Sequence, residues 1–167
     1  MQRYASIFFI DVAAFAVLSN HYHFVLHVDV EAAKEAKPKD IVRRWHQLFK
    51  PKEVSQKFID GEHLDSHEIN QLNIWIDTWR SRLFDISWFM KVLNENVARR
   101  ANKEDECGGH FWESRYKSQA LLDEKAVLSA IAYVDLNPIR AAMADTCLLY
   151  TSPSPRDRTR SRMPSSA

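Results

Sequence analysis

The sequence is poor in cysteine and has no long hydrophobic run and no surplus of either charge. Two cysteines in 167 residues, Cys107 and Cys147, exclude a disulfide scaffold and a cysteine-rich zinc site, and agree with a reducing compartment. No apolar run approaches the ~18–20 residues that span a bilayer, and the first residues lack the basic start and cleavage site of a signal peptide. A formal net charge of +1 argues neither for nor against a nucleic-acid partner. What is present is ordinary for a globular chain: 46% apolar and 27% charged residues, enough for one domain with a real core. The expectation is a soluble, cytoplasmic protein with no membrane contact.

Near-neutrality hides two unlike parts. Cys147 to Ala167 holds Arg156, Arg158, Arg160 and Arg162, one acid (Asp157), three of the six prolines and five serines. Residues 1–146 keep 19 basic and 21 acidic side chains, a formal charge of −2, so the folding part is mildly acidic. No helical or strand period follows Tyr150, so 147–167 is expected to be unstructured. A basic arm for nucleic acid is one reading of it. The other is that residues 147–157 resemble the translation of a transposon-end adapter used in preparing sequencing libraries, which makes the tail an assembly artefact and non-native.

Within 1–146, the segment Ala13–Val30 is rich in β-branched and aromatic residues and is broken by Ser19-Asn20. It reads as two strands or one bent strand at the centre of a sheet. Behind Pro38, Ile41, Val42, Trp45, Leu48 and Phe49 recur at helical spacing, and a short amphipathic stretch follows at 52–60. Asp65 with Glu68 forms a capping box ahead of the stripe Ile69, Leu72, Ile76, Trp79 and Leu83. Asp85 suits the cap of a helix carrying Ile86, Phe89, Met90, Leu93 and Val97. After Cys107-Gly108-Gly109, residues 110–121 alternate as a strand, with Trp112, Ser114, Tyr116 and Ser118 on one face and Glu113, Arg115, Lys117 and Gln119 on the other. Asp123 caps a helix to about Leu136, built on Val127, Leu128, Ile131 and Val134. Asn137-Pro138 is expected to interrupt it and to start a short last helix, Ile139–Ala144. Strands, then helices, then a strand and a helix make the class α+β.

Two local patterns carry chemistry. In His21-Tyr22-His23 the residues two apart on a strand share a face, so both imidazoles can meet one divalent cation while Tyr22 points away. The plain alternative is two half-buried strand histidines bonded to neighbours. His27 shares the face but would lie ~13 Å from His23 at strand rise, too far for a compact three-histidine site. In Tyr133-Val-Asp-Leu-Asn137-Pro138, Tyr133 and Asn137 are one helical turn apart. A tyrosine beside a metal site suggests attack on a phosphodiester, although phenols titrate near ~10 and need activation at neutral pH. The alternative is that Tyr133 packs with its hydroxyl at the surface and Asn137 caps the last helix.

Three blocks together resemble a known family. Ala16-Val-Leu-Ser-Asn-His-Tyr-His-Phe-Val-Leu (16–26), Phe111-Trp-Glu-Ser-Arg-Tyr-Lys (111–117) and Ala132-Tyr-Val-Asp-Leu-Asn-Pro-Ile-Arg-Ala (132–141) look like the signature blocks of single-tyrosine HUH transposases, in their proper order. The branch they resemble is that of the REP-associated tyrosine transposases and related insertion-sequence transposases. The resemblance implies that His21 and His23 bind Mg²⁺ or Mn²⁺, that Asn137 is a third, side-chain ligand, and that Tyr133 attacks DNA. It implies cleavage and rejoining of single-stranded or hairpin DNA through a 5′-phosphotyrosine, and a homodimer is common in the family. Arg115 and Lys117 share a strand face suited to adjacent phosphates, or to solvent alone. Arg99, Arg100 and Lys103 end a helix, where they meet DNA or merely favour the helix dipole. Trp112 or Tyr116 stacks on an unpaired base or belongs to the core.

The family's domain begins with a further strand and helix, whereas about twelve residues precede the first block here. The expectation is therefore an N-terminally truncated domain over 1–146: a ferredoxin-like HUH sheet with packed helices, its first strand missing, and a helical insertion at about 31–84. Two rival readings remain. One is an inactive relative that binds single-stranded or hairpin DNA without cutting it. The other is a small structural protein whose histidines hold zinc.

Overall fold

The computed structural model of the chain describes residues 2–18 and 20–140. They form a mixed α+β structure of seven helices and a two-stranded antiparallel sheet. In chain order these are α1 (Gln2–Ile7), β1 (Ile10–Val17), β2 (Tyr22–Val28), α2 (Val30–Glu35), α3 (Pro38–His46), α4 (Glu53–Asp60), α5 (Ser66–Leu83), α6 (Ile86–Glu104) and α7 (Glu124–Arg140). Among the described residues no helix is long and apolar enough to cross a membrane. The tail at 147–167 lies outside the described residues.

The described residues divide into two compact units, one of residues up to Asp11 with Val28–Ser118, the other of Val12–His27 with the residues from Gln119 onward. The first is helical and wider than the expected insertion. Pro38 stands in the first turn of α3, where its missing N–H costs nothing, and Ile41, Val42 and Trp45 are buried. They pack on the face of α5 that carries Leu72, Ile76, Trp79 and Leu83. The capping box is present: an Asp65 carboxylate oxygen accepts from the Glu68 N–H at 2.8 Å, and Glu68 accepts from the Asp65 N–H at 3.1 Å. Ile69, the first member of the expected stripe, is exposed, so the buried face begins at Leu72. Asp85 caps α6 through the Ser87 N–H at 2.6 Å, and Phe89, Met90, Val92 and Leu93 fill the core below. Gly61 ends α4 at φ 79°, a conformation that a β-carbon would strain.

Two arginines tie this unit together across long stretches of sequence. An Arg80 Nη donates to the carbonyls of Ala33 at 2.6 Å and Ala36 at 2.7 Å, and an Arg44 Nη donates to those of Ser6 at 2.9 Å and Ile7 at 2.7 Å. Helix C-termini leave carbonyls without partners, and these guanidinium groups satisfy those of α2 and α1.

The second unit is a β-hairpin with α7. In β1 the even positions Ala14 and Ala16 are buried and the odd ones face outward, the period of a strand with one covered face. Leu18 N–H bonds the His21 carbonyl at 2.8 Å and closes the turn; Ser19 within it lies outside the described residues. Ala14, Ala16 and Val25 form one cluster with Val134 of α7, and Ala130 and Ile131 pack against its margin.

Two sequence expectations fail. Residues 110–121 are not a strand: this stretch holds no regular element. Its alternation serves another purpose, since the Trp112 Nε1–H donates to the Asn94 carbonyl at 3.0 Å and the Tyr116 hydroxyl pairs with the Ser87 hydroxyl at 3.0 Å. Trp112 and Tyr116 are anchored to α6 rather than to a sheet. The expected break at Asn137-Pro138 is also absent, because α7 runs on to Arg140. Pro138 removes the N–H that would bond the Val134 carbonyl, but burial of Val134 and Asn137 overrides that local cost. Residues 141–144 of the expected last helix lie outside the described residues.

Candidate metal and tyrosine site

The hairpin unit brings His21, His23 and Tyr133 to one place. Strand period puts His21, His23 and Val25 on one face of β2, and the burial of Val25 against Val134 lays that face on α7. Tyr22 and Phe24 fall on the other face, where their rings pair at 4.7 Å. The His21 and His23 ring centroids are 5.0 Å apart and nearly perpendicular. The Tyr133 ring stands edge to face against His23 at 5.7 Å. Asn137 is one turn further along α7 and buried at 8% exposure, whereas Tyr133 is half-exposed at 48%.

The two imidazoles differ in what holds them. His21 Nδ1 bonds the Asn20 side-chain oxygen at 2.7 Å. With the proton on Nδ1, the His21 Nε2 lone pair is left for a ligand. His23 Nε2 is buried and has no hydrogen-bond partner among the described residues. Such an orphan costs free energy unless something completes it. Burial, and then the neighbouring charge of His21, hold the His23 imidazole below its ordinary pKa. A neutral imidazole is the form that binds metal.

These donors fit a divalent cation. The orphaned His23 nitrogen and the available His21 nitrogen are imidazoles, and the Asn137 amide oxygen is a hard donor suited to Mg²⁺ or Mn²⁺. Among the described residues no three His, Cys, Asp or Glu side chains gather around a common point, so a zinc site built from those types is not formed. His27 is exposed at the other end of β2.

The expected phosphate-binding cations lie elsewhere in the chain. Arg99 and Arg100, on α6 in the helical unit, each pair with a carboxylate one turn away, Glu95 and Glu104. Arg115 and Lys117 are exposed on the irregular segment after α6, not on a strand face. Sequence reasoning overlooked Asn20 as a support for His21; an amide preceding the histidine pair at a hairpin turn was the available signal. Scans against protein-family profiles, curated proteins and solved structures find no match to this chain.

Proposed function

We propose that the chain is a metal-dependent, single-tyrosine nuclease and transposase of the HUH kind, acting on single-stranded or hairpin DNA. The observation that carries this reading is the Tyr133 ring packed on an imidazole whose buried Nε2 has no partner, beside a second imidazole. His21, His23 and Asn137 would hold Mg²⁺ or Mn²⁺, which when bound supplies charge to a non-bridging phosphate oxygen. On this reading the hairpin belongs to a ferredoxin-like HUH sheet and α7 is one of the helices packed on it.

Each residue then has one task. Asn20 fixes the tautomer of His21, and burial keeps His23 neutral. The Tyr133 hydroxyl attacks phosphorus in line, a new bond joins its oxygen to phosphorus, and the bond from phosphorus to the 3′-oxygen breaks. The phenolic proton ends on the departing 3′-hydroxyl. The 5′-phosphotyrosine conserves the ester bond for rejoining to another 3′-end. Arg115 and Lys117, exposed and cationic, are suited to the phosphates of the same strand, and Arg99 and Arg100 can join them only by leaving Glu95 and Glu104.

Hairpin-bearing single-stranded DNA incubated with Mn²⁺ should leave a covalent adduct that survives a denaturing gel. Tyr133→Phe keeps the ring against His23 and should abolish the adduct completely. An adduct formed equally by Tyr133→Phe would remove the tyrosine from the mechanism.

A further inference from the structure

The helical unit carries a ladder of aromatic rings that the hairpin chemistry does not use. Trp75 stacks on Trp79 at 6.0 Å, Trp79 on Trp45 at 5.5 Å, and Trp45 meets Phe49 at 4.6 Å and Trp88 at 5.8 Å. The middle of the ladder, Trp45 and Trp79, is buried. Its ends are not: Phe49 is exposed at 37%, and Trp75 and Trp88 are half-buried.

Cations sit on those ends. Lys52 Nζ lies 3.8 Å from the Trp75 ring, while Arg82 and Lys91 lie over Trp88 at 4.3 Å and 4.6 Å. Their electrostatic setting differs from that of Lys34, Arg43, Lys57, Arg99 and Arg100, which are each matched by a carboxylate. Among the described residues, Lys52, Arg82 and Lys91 form no ion pair. The ladder's ends are therefore aromatic, positively charged and uncompensated. A core needs buried rings; it does not need unpaired cations gathered at the exposed margin of those rings.

We infer that each end of the ladder, Trp75 with Lys52 and Trp88 with Phe49, Arg82 and Lys91, binds an unpaired nucleobase on a phosphodiester strand. An exposed cation resting on a ring is held weakly, and a base stacks on the same ring more strongly. Arrival of a strand exchanges one contact for the other, freeing each lysine or arginine to meet a phosphate. The surface uses neither Tyr133 nor its histidines, so it stands or falls without them.

The test is a titration of the full chain with oligo-dT, and in parallel oligo-rU, at low salt, reading tryptophan emission. Trp75 and Trp88 are two of the five tryptophans, so bound bases quench part of the signal. The double variant Lys52→Glu/Lys91→Glu alters exposed side chains only; it should bind about tenfold more weakly and with a flatter salt dependence. The titration is made without divalent metal, and quenching that is followed by no covalent adduct when Mn²⁺ is added separates failure of the tyrosine chemistry from failure of this surface. Stronger quenching by either strand supports the platform and names its sugar. Absence of quenching by both, or unchanged affinity in a double variant whose far-ultraviolet circular dichroism matches the parent, overturns it.

Discussion

All five tryptophans fall between Trp45 and Trp112, inside the helical unit, whereas the hairpin unit packs Ala14, Ala16, Val25 and Val134 and contains none. The first unit buries large rings in its middle. The second keeps a thin core of small side chains and leaves His21, His23 and Tyr133 at its margin, partly open to solvent. Bulk and chemistry have been allotted to different stretches of one chain. A metal and a DNA strand need access, and a core of alanines and valines permits rings to sit at its edge where a tryptophan would fill the space.

That contrast is broken most directly by deleting a large ring. Phe89 is fully buried and meets Phe8 edge to face at 5.5 Å, so Phe89→Ala should cost about 3–5 kcal/mol in chemical denaturation followed by tryptophan emission. A loss below about 1 kcal/mol would mean that the helical core is loosely packed after all. Next comes Arg80→Ala, which removes charge-assisted bonds to the Ala33 and Ala36 carbonyls at the end of α2. We expect a loss of roughly 1.5–3 kcal/mol by the same assay. Arg80→Lys, a point charge without the planar fork, should restore only part of it.

The helical unit was the more legible of the two. Asp65 with Glu68 and Asp85 announced helix starts there, as Asp123 did in the hairpin unit, because a cap is a local event between neighbours, and each is made as its spacing implies. The strand pair was also readable, apart from its beginning at Ile10 rather than Ala13. Segment 110–121 was not, because alternation records which side chains are anchored and not what anchors them; Trp112 and Tyr116 find α6 instead of a neighbouring strand. Passage of α7 through Pro138 was illegible for a similar reason, since long-range burial of Val134 and Asn137 overrode a local preference. Of the candidate site, the meeting of His21 with His23 followed from period two, and the spacing of Tyr133 and Asn137 from period 3.6. That Tyr133 meets His23 was invisible until β2 was laid on α7. The pairing of Arg99 and Arg100 with Glu95 and Glu104 was written in the sequence as one-turn spacings and was passed over.

A gentler probe acts on the hairpin unit. Val134→Ala removes two methyl-sized groups from the contact with Val25 and should cost about 1.5 kcal/mol, well short of Phe89→Ala. Because Val134 follows Tyr133 directly, the same change should loosen the ring against His23 and reduce covalent capture of DNA more than it reduces stability. A variant that loses stability but captures DNA at the parental rate would show that the position of Tyr133 is independent of the small core.

The smallest effect concerns acid, and it is present in both units. His46 donates from Nε2 to the Ser55 hydroxyl at 2.9 Å, and Ser55 in turn donates to the Lys52 carbonyl at 2.8 Å, so a neutral ring satisfies this buried pair. Burial lowers the His46 pKa below 6.5, and burial with the charge of His21 does the same for His23. A histidine with a depressed native pKa is neutral in both states above 6.5, so stability there does not depend on its titration. As pH falls through 6.5 the unfolded chain takes up the proton first, and stability is lost until the native pKa is reached. Denaturation at pH 7.5 and at about pH 5.5 should therefore show the parent losing more on acidification than His46→Gln, which keeps a donor for Ser55, and more than His23→Gln. Because saturating Mn²⁺ keeps native His23 free of the proton that the unfolded chain still takes up, it should enlarge the loss in His46→Gln and leave that in His23→Gln nearly unchanged. An equal effect of Mn²⁺ on the two variants would place the metal away from His23.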